Sequence, residues 1–293
     1  MILFSIIIPT YNRAQFLKKT IETVLYQTYS LFEIIIIDDG STDNTFEVVN
    51  EIKNEKLKYY KIKNSERGAA RNYGAQIAKG DYLNFFDSDD LMCENHLSEA
   101  NELIKLYNKP EWFHLGYRIE TGTGECIKTV VDIDQDANLK LVRGNFLSCN
   151  GVFIRKDIAA LNKFNEERSL SALEDWELWL RMAVQYKLRY KNIVTSVIVN
   201  HDTRSVLSTN KDQLIIRFEK FIQLVTNNNQ IVRFYSGKLK FLFCSCYTYI
   251  ALHLALVRGY KKSVIKYLWL GIKQNPAFVF ERRFFAIIKH LLF

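Results

Sequence analysis

The chain has 293 residues, 48% hydrophobic and 14% aromatic, enough for a substantial core, which excludes a disordered polymer. Its net charge of +8 is carried by the end of the chain: residues 211–293 hold 14 Lys/Arg against 3 Asp/Glu, and residues 1–210 hold 26 against 29. Five cysteines without a paired CxxC pattern exclude a disulfide scaffold and read as reduced thiols in a cytoplasmic protein.

Ile2 to Pro9 is apolar but lacks a basic flank and a small-residue cleavage site, so it reads as a buried strand stopped by proline, not as a signal peptide. Thr10 to Arg13 is then a polar turn, and Gln15 to Gln27 a helix. Glu33 to Ile37 is a second apolar strand, ending in Asp38-Asp39-Gly40-Ser41-Thr42-Asp43, a tight loop and helix cap. Helix Asn44 to Ile52, strand Leu57 to Ile62, helix Gly68 to Ala78 and strand Tyr82 to Phe86 follow. This alternation predicts an α/β fold whose first ninety residues form a mostly parallel sheet, with every loop after a strand on one edge.

That edge gathers Thr10 to Arg13, Asp38 to Asp43 and Asp87-Ser88-Asp89-Asp90 into one crevice, the place where open α/β sheets bind ligands. Neither GxGxxG nor GxxxxGK[ST] occurs, so a nucleotide's phosphates need another counter-charge. Three carboxylates within four residues at the end of an apolar strand suit a divalent cation that shares its shell with water and phosphate. An acidic turn ahead of a helix starting near Asn95 accounts for them equally well. Arg67 and Arg71 lie at a helix start, as phosphate contacts or as solvated charges.

Four motifs in order, Ser5 to Arg13, Asp38 to Asp43, Arg67-Gly68-Ala69-Ala70-Arg71-Asn72 and Asp87 to Asp90, together resemble the family 2 glycosyltransferases of GT-A fold. The resemblance implies a Rossmann-like mixed sheet that binds a nucleotide sugar, and inverting transfer of that sugar from a nucleotide diphosphate, with a UDP-sugar expected. It further implies that Pro9, Thr10, Tyr11 and Asp39 contact the nucleoside, that Arg71 lies near the donor, that Asp38, Arg67, Asp87 and Ser88 belong to the same donor site, and that Asp87 and Asp89 form a DxD element holding Mn2+ or Mg2+. Asp89 is the expected direct ligand.

Further along, Glu94 to Lys109 is helical, Trp112 to Glu120 and Cys126 to Val131 form a strand pair, and Asp132 to Leu141 is a polar acidic stretch on the acceptor side. Asn150 to Lys156 resembles the family's short strand ahead of the catalytic region. In Leu173 to Arg181, Asp175 reads as the cap of a helix whose Leu178, Trp179 and Met182 make an apolar face; by itself this is an ordinary helix start. The resemblance makes Asp175, the Asp of an ED pair, the general base. No QxxRW follows, which favours addition of one sugar over polymerisation. Asn200 to Ser205 resembles the family's late histidine segment, with His201 approaching the metal or diphosphate.

Beyond Lys211 helical patterns take over. Phe241 to Val257 lacks charged residues but is too short and polar to span a bilayer, so it reads as a packed helix. Arg258-Gly259-Tyr260 is a turn, and a second helix runs from near Lys261 to Asn275-Pro276. Phe278 to Phe293 interleaves aromatics with cations, suiting either an anionic membrane surface or packing on the domain. The expected organisation is a GT-A domain over residues 1–210 and a basic helical region over 211–293 that docks it on the inner face of the cell membrane. A lipid-linked or oligosaccharide acceptor in surface-glycan synthesis is expected, and no nucleic acid. A metal-dependent nucleotidyltransferase and a non-catalytic glycan-binding module are the alternatives.

Overall fold

Three successive isoleucines between Ser5 and Pro9 are stable only in a strand covered on both faces. In the computed structural model, which describes residues 1–131, 136–201, 210–257 and 259–292, they lie in β1 (Phe4–Thr10), buried at every position. It is followed by α1 (Ala14–Leu25), β2 (Phe32–Asp38), α2 (Thr45–Glu51), β3 (Leu57–Lys61), α3 (Glu66–Ile77) and β4 (Tyr82–Phe85). Next come β5 (Leu91–Met92), α4 (His96–Leu106), β6 (Trp112–Thr121), β7 (Cys126–Val130), α5 (Ala137–Lys140), β8 (Val152–Arg155) and α6 (Lys156–Leu161). The remainder is α7 (Glu174–Gln185), β9 (Arg189–Asn200), α8 (Lys211–Asn227), α9 (Asn229–Phe234), α10 (Leu239–Ala255), α11 (Lys261–Gln274) and α12 (Arg282–Leu292).

The sheet runs β3-β2-β1-β4-β8-β6-β9-β5, with β7 also paired to β6. β1 to β4 are parallel as expected, whereas β8 is antiparallel to both β4 and β6, so the sheet is mixed. Alternate residues of the inner strands feed two cores: Ile6, Ile8, Ile34 and Ile36 face α1 and α4, whereas Ile7, Ile35, Ile37 and Phe85 join α7 and the helices beyond it.

The helices after residue 210 share that second core. Trp176 of α7 stacks on Phe221 of α8 with ring centroids 4.8 Å apart, and the Tyr235 hydroxyl donates to the carbonyl of Asn138 at 2.7 Å. α10 is a packed helix and α11 starts at Lys261, both as expected. α12 buries Ile287 and packs Phe284, Ile288 and Leu291 against the same core, leaving Phe285 exposed. Among the described residues no helix is long and apolar enough to cross a membrane. The segment Asp202 to Ser205, Arg258 and residues 132–135 of the acidic stretch lie outside the described residues.

Candidate active site

Parallel register aligns the strand ends that build the site. Thr10 pairs with Asp38 and Ile7 with Phe85, so the loops after β1, β2 and β4 emerge level, joined by the Asp39 N–H donating to the Thr10 carbonyl at 2.8 Å. They open on a cleft of about 650 Å³, in the size range of small-molecule sites. Pro9, Thr10, Tyr11, Arg13 and Asp39 line it together with Arg67, Arg71, Asp87, Ser88 and Asp89, and Glu174 and Asp175 enter from α7. Tyr11 is exposed at the cleft, and Thr10 Oγ1 is buried with no partner among the described residues.

The two aspartates after β2 divide their work. Asp38 does not line the cleft: it is fully buried, its Oδ1 accepting from the Ser41 N–H at 2.7 Å and its Oδ2 from the Tyr59 hydroxyl. Placed there it shapes the loop, which departs from the donor contact expected of it. Asp39 accepts from the N–H groups of Ser65 (2.7 Å) and Glu66 (2.9 Å) at the start of α3, and burial pushes its carboxyl pKa up. It still lines the cleft.

Asp87 and Asp89 also point different ways. Asp87 Oδ1 takes Arg71 Nη2 at 3.0 Å, while Asp89 Oδ2 lies 3.0 Å from His201 Nε2 and 3.8 Å from Arg13 Nε. His201 is set by stacking on Phe16, ring centroids 4.3 Å apart. Asp90 is buried structure, accepting from Asn150 Nδ2 at 2.7 Å and the Val199 N–H at 2.9 Å. Thr20 of α1 pins the same loop by donating to the carbonyls of Ser88 (3.1 Å) and Asp90 (2.9 Å).

Among the described residues no three His, Cys, Asp or Glu side chains converge to hold an ion unaided. Asp89 and His201 do face one another, and a carboxylate oxygen with an imidazole nitrogen accommodates Mn2+ better than Mg2+ once phosphate oxygens and water complete the shell. The donor set therefore fits a divalent cation that arrives with a phosphorylated ligand.

Arg71 is only 2% exposed and is gripped on its second side by Glu174, Nη1 to Oε1 2.7 Å, with Phe164 packed against it. Arg67 is more open, its Nε 3.9 Å from the same carboxylate oxygen. Asp175 sits within the first turn of α7, and Leu173 holds the cap position expected for Asp175. Its Oδ1 accepts from the Trp176 N–H at 2.7 Å and its Oδ2 from Asn145 Nδ2 at 2.9 Å. Burial and then the neighbouring Glu174 charge push its pKa up to about 7.

Several residues that hold the cleft's walls had no sequence signal of their own. Asn150 ties the Asp87 N–H (2.8 Å) to Asp90, and Asn145 and Thr20 act only across the fold. Asn12 (φ 51°), Glu66 (φ 76°) and Ala172 (φ 72°) all hold left-handed backbone around the cleft, a conformation unfavourable for Ala without other support.

A family model described as Glycosyl transferase family 2 matches residues 5–109. The chain is similar to the Escherichia coli UDP-Glc:alpha-D-GlcNAc-diphosphoundecaprenol beta-1,3-glucosyltransferase WfaP, 30% identical over 258 residues that cover 85% of this chain and 98% of that protein. Rickettsial glycosyltransferases from Rickettsia felis, Rickettsia conorii and Rickettsia bellii also match and are longer: the chain spans 40%, 39% and 34% of their lengths. In fold it is similar to Staphylococcus aureus TarS 1–349 in complex with UDP-GlcNAc, TM-score 0.71 at 18% identity, covering 99% of this chain and 88% of that one. The Pyrobaculum calidifontis mannosyltransferase PcManGT in complex with GDP-Man and Mn2+ gives a TM-score of 0.61 at 15% identity, over 99% and 85%.

Proposed function

The chain belongs to glycosyl transferase family 2, and on that premise we propose that it moves one sugar, with inversion, from a UDP-sugar to a hydroxyl of a lipid-linked or oligosaccharide acceptor in surface-glycan synthesis. The observation that carries this reading is that Asp175 shares one cleft with Asp89, which His201 contacts, and with the Pro9 to Tyr11 turn. A base and a diphosphate-binding end then flank a single bound donor. The donor and acceptor in the name of WfaP, and the UDP-GlcNAc held by TarS, support a UDP-sugar and a lipid diphosphate acceptor.

In this reading Pro9, Thr10, Tyr11 and Asp39 seat the nucleoside, and Arg67 and Ser88 lie along the diphosphate. Asp175 takes the proton of the acceptor hydroxyl as its oxygen bonds to the anomeric carbon; the bond from that carbon to the diphosphate oxygen breaks, and the nucleoside diphosphate leaves with the electron pair. Asn145 and the Trp176 N–H hold the carboxylate for that transfer. Asp89 and His201, with Asp87 beside them, would hold Mn2+ or Mg2+, which when bound neutralises charge on the leaving diphosphate. The Mn2+ in the PcManGT complex supports this.

We assign the chemistry to residues 1–210 and place the protein at the inner membrane face through residues 211–293, whose charge balance favours an anionic surface. Titration calorimetry with UDP, GDP, CDP and dTDP, with and without Mn2+, followed by transfer assays with the matching nucleotide sugars, tests the reading. Selective metal-dependent binding of UDP and sugar transfer are expected. Binding of none of the four nucleotides overturns it.

A further inference from the structure

The two amphipathic helices at the end of the chain use their faces differently. α12 packs Phe284, Ile287, Ile288 and Leu291 on the core and, among the described residues, leaves only Phe285 of its large apolar side chains exposed, and one of its cations, Arg283, is turned inward, Nη1 lying 3.2 Å from Thr248 Oγ1 of α10. α11 is anchored by Val264, Tyr267, Leu268 and Gly271, the last so close that a Cβ would sit 2.6 Å from Thr248 Cγ2. Its opposite stripe, Lys262, Ile265, Lys266, Trp269 and Lys273, follows helical spacing and is exposed throughout, Ile265 at 56% and Trp269 at 59%. α11 contains no Asp or Glu, and Lys273 lies over the Trp269 ring, 5.3 Å from its centroid.

We infer that this face of α11 is the surface that docks on an anionic lipid bilayer. Trp269 and Ile265 enter the headgroup layer, and Lys262, Lys266 and Lys273 meet lipid phosphates. The match is one of charge and amphipathy: an interfacial tryptophan set in a row of lysines, on a helix without counter-charge, in the strongly basic part of the chain. The inference rests on the membrane reading above and moves the contact from the final helix to the one before it.

The test is co-sedimentation of the full chain with vesicles of phosphatidylglycerol and phosphatidylcholine, against phosphatidylcholine alone. The wild type is expected to bind the anionic vesicles only. K262E/K266E/K273E is expected to weaken that binding at least about tenfold, since each basic residue near such a surface contributes on the order of fivefold. W269A is expected to weaken it severalfold, and the matched pair R282E/K289E on α12 less than about twofold; circular dichroism melts confirm that each variant is folded. If the wild type does not bind anionic vesicles, the membrane reading fails and the inference with it. If the wild type binds and the α11 variants bind equally, or the α12 pair loses as much, only the α11 assignment is overturned. A wild-type dimer that the α11 variants dissociate, without vesicle binding, overturns it in favour of a second copy of the chain.

Discussion

The guanidinium of Arg71 donates from Nη1 to Oε1 of Glu174 at 2.7 Å, joining α3 to α7 across 103 residues of sequence. With Asp87 on its other side, one buried cation ties the loop after β4 to the helix that carries Asp175. A guanidinium does this better than an ammonium, because it stays charged when desolvated and presents donors in two directions. Held by two carboxylates, with its Nε buried without a partner among the described residues, Arg71 joins the two ends of the cleft.

Breaking that pair from one side strips Nη1 of its carboxylate and leaves the buried guanidinium with Asp87 alone. Glu174→Ala is expected to lower stability by about 1–3 kcal/mol, read by urea denaturation. A change under about 1 kcal/mol, the range of exposed ion pairs, would show that the bridge holds nothing together.

Asp175→Asn keeps the shape of the first turn of α7 but removes the proposed proton acceptor. Transfer is expected to fall about 10²–10⁴-fold while UDP binding is unchanged. The proposed base works only when ionised, and burial pushes the Asp175 pKa up to about 7, so kcat/KM should rise with pH through that value. A flat profile from pH 5 to 8 would remove Asp175 from that role.

Two neighbours should move that limb in opposite directions. Glu174 adds negative charge that raises the Asp175 pKa, so Glu174→Gln shifts the acidic limb down. Asn145 donates to the ionised carboxylate, so Asn145→Ala shifts it up. pH–rate profiles of both variants decide the matter, since a purely structural defect lowers the plateau without moving the limb.

Asp89→Ala should abolish the Mn2+-dependent part of UDP binding, and His201→Ala should weaken it by at least about tenfold, since even partners outside the ligand shell of a metal site contribute that much. Calorimetry with and without Mn2+ measures both. Unchanged metal dependence in Asp89→Ala would place the cation elsewhere.

Gly68 opens the cationic motif of α3 because its Cα runs against the backbone of the loop before α7; a Cβ there would overlap the carbonyl oxygen of Asn165. Gly68→Ala should cost about 1–3 kcal/mol, as overpacking against unyielding backbone does. Thermal denaturation reads it, and a neutral result would show that the 164–166 segment yields freely.

What the amino-acid order determined by itself is the part governed by local periodicity. Alternating strand and helix patterns placed β1 to β4 and the edge where their loops meet, and the charge-free stretch at Phe241 to Val257 foretold a packed α10. Chain-local physics suffices there, since side-chain period and turn residues act over a few positions. Which acidic side chain does what was decided only by tertiary structure. Asp38 and Asp39 are adjacent, yet one bonds Ser41 and Tyr59 in the interior and the other caps α3 at the cleft. Asp87 meets Arg71 while Asp89 meets His201, 112 residues away. α12 looked like the membrane helix until most of its apolar residues were found packed on the core, while α11 keeps the longer exposed stripe of lysines with Ile265 and Trp269. Partner choice depends on which distant segments arrive at the same place, and burial then sets the charge state and the cost of each contact; neither can be read from neighbours in sequence.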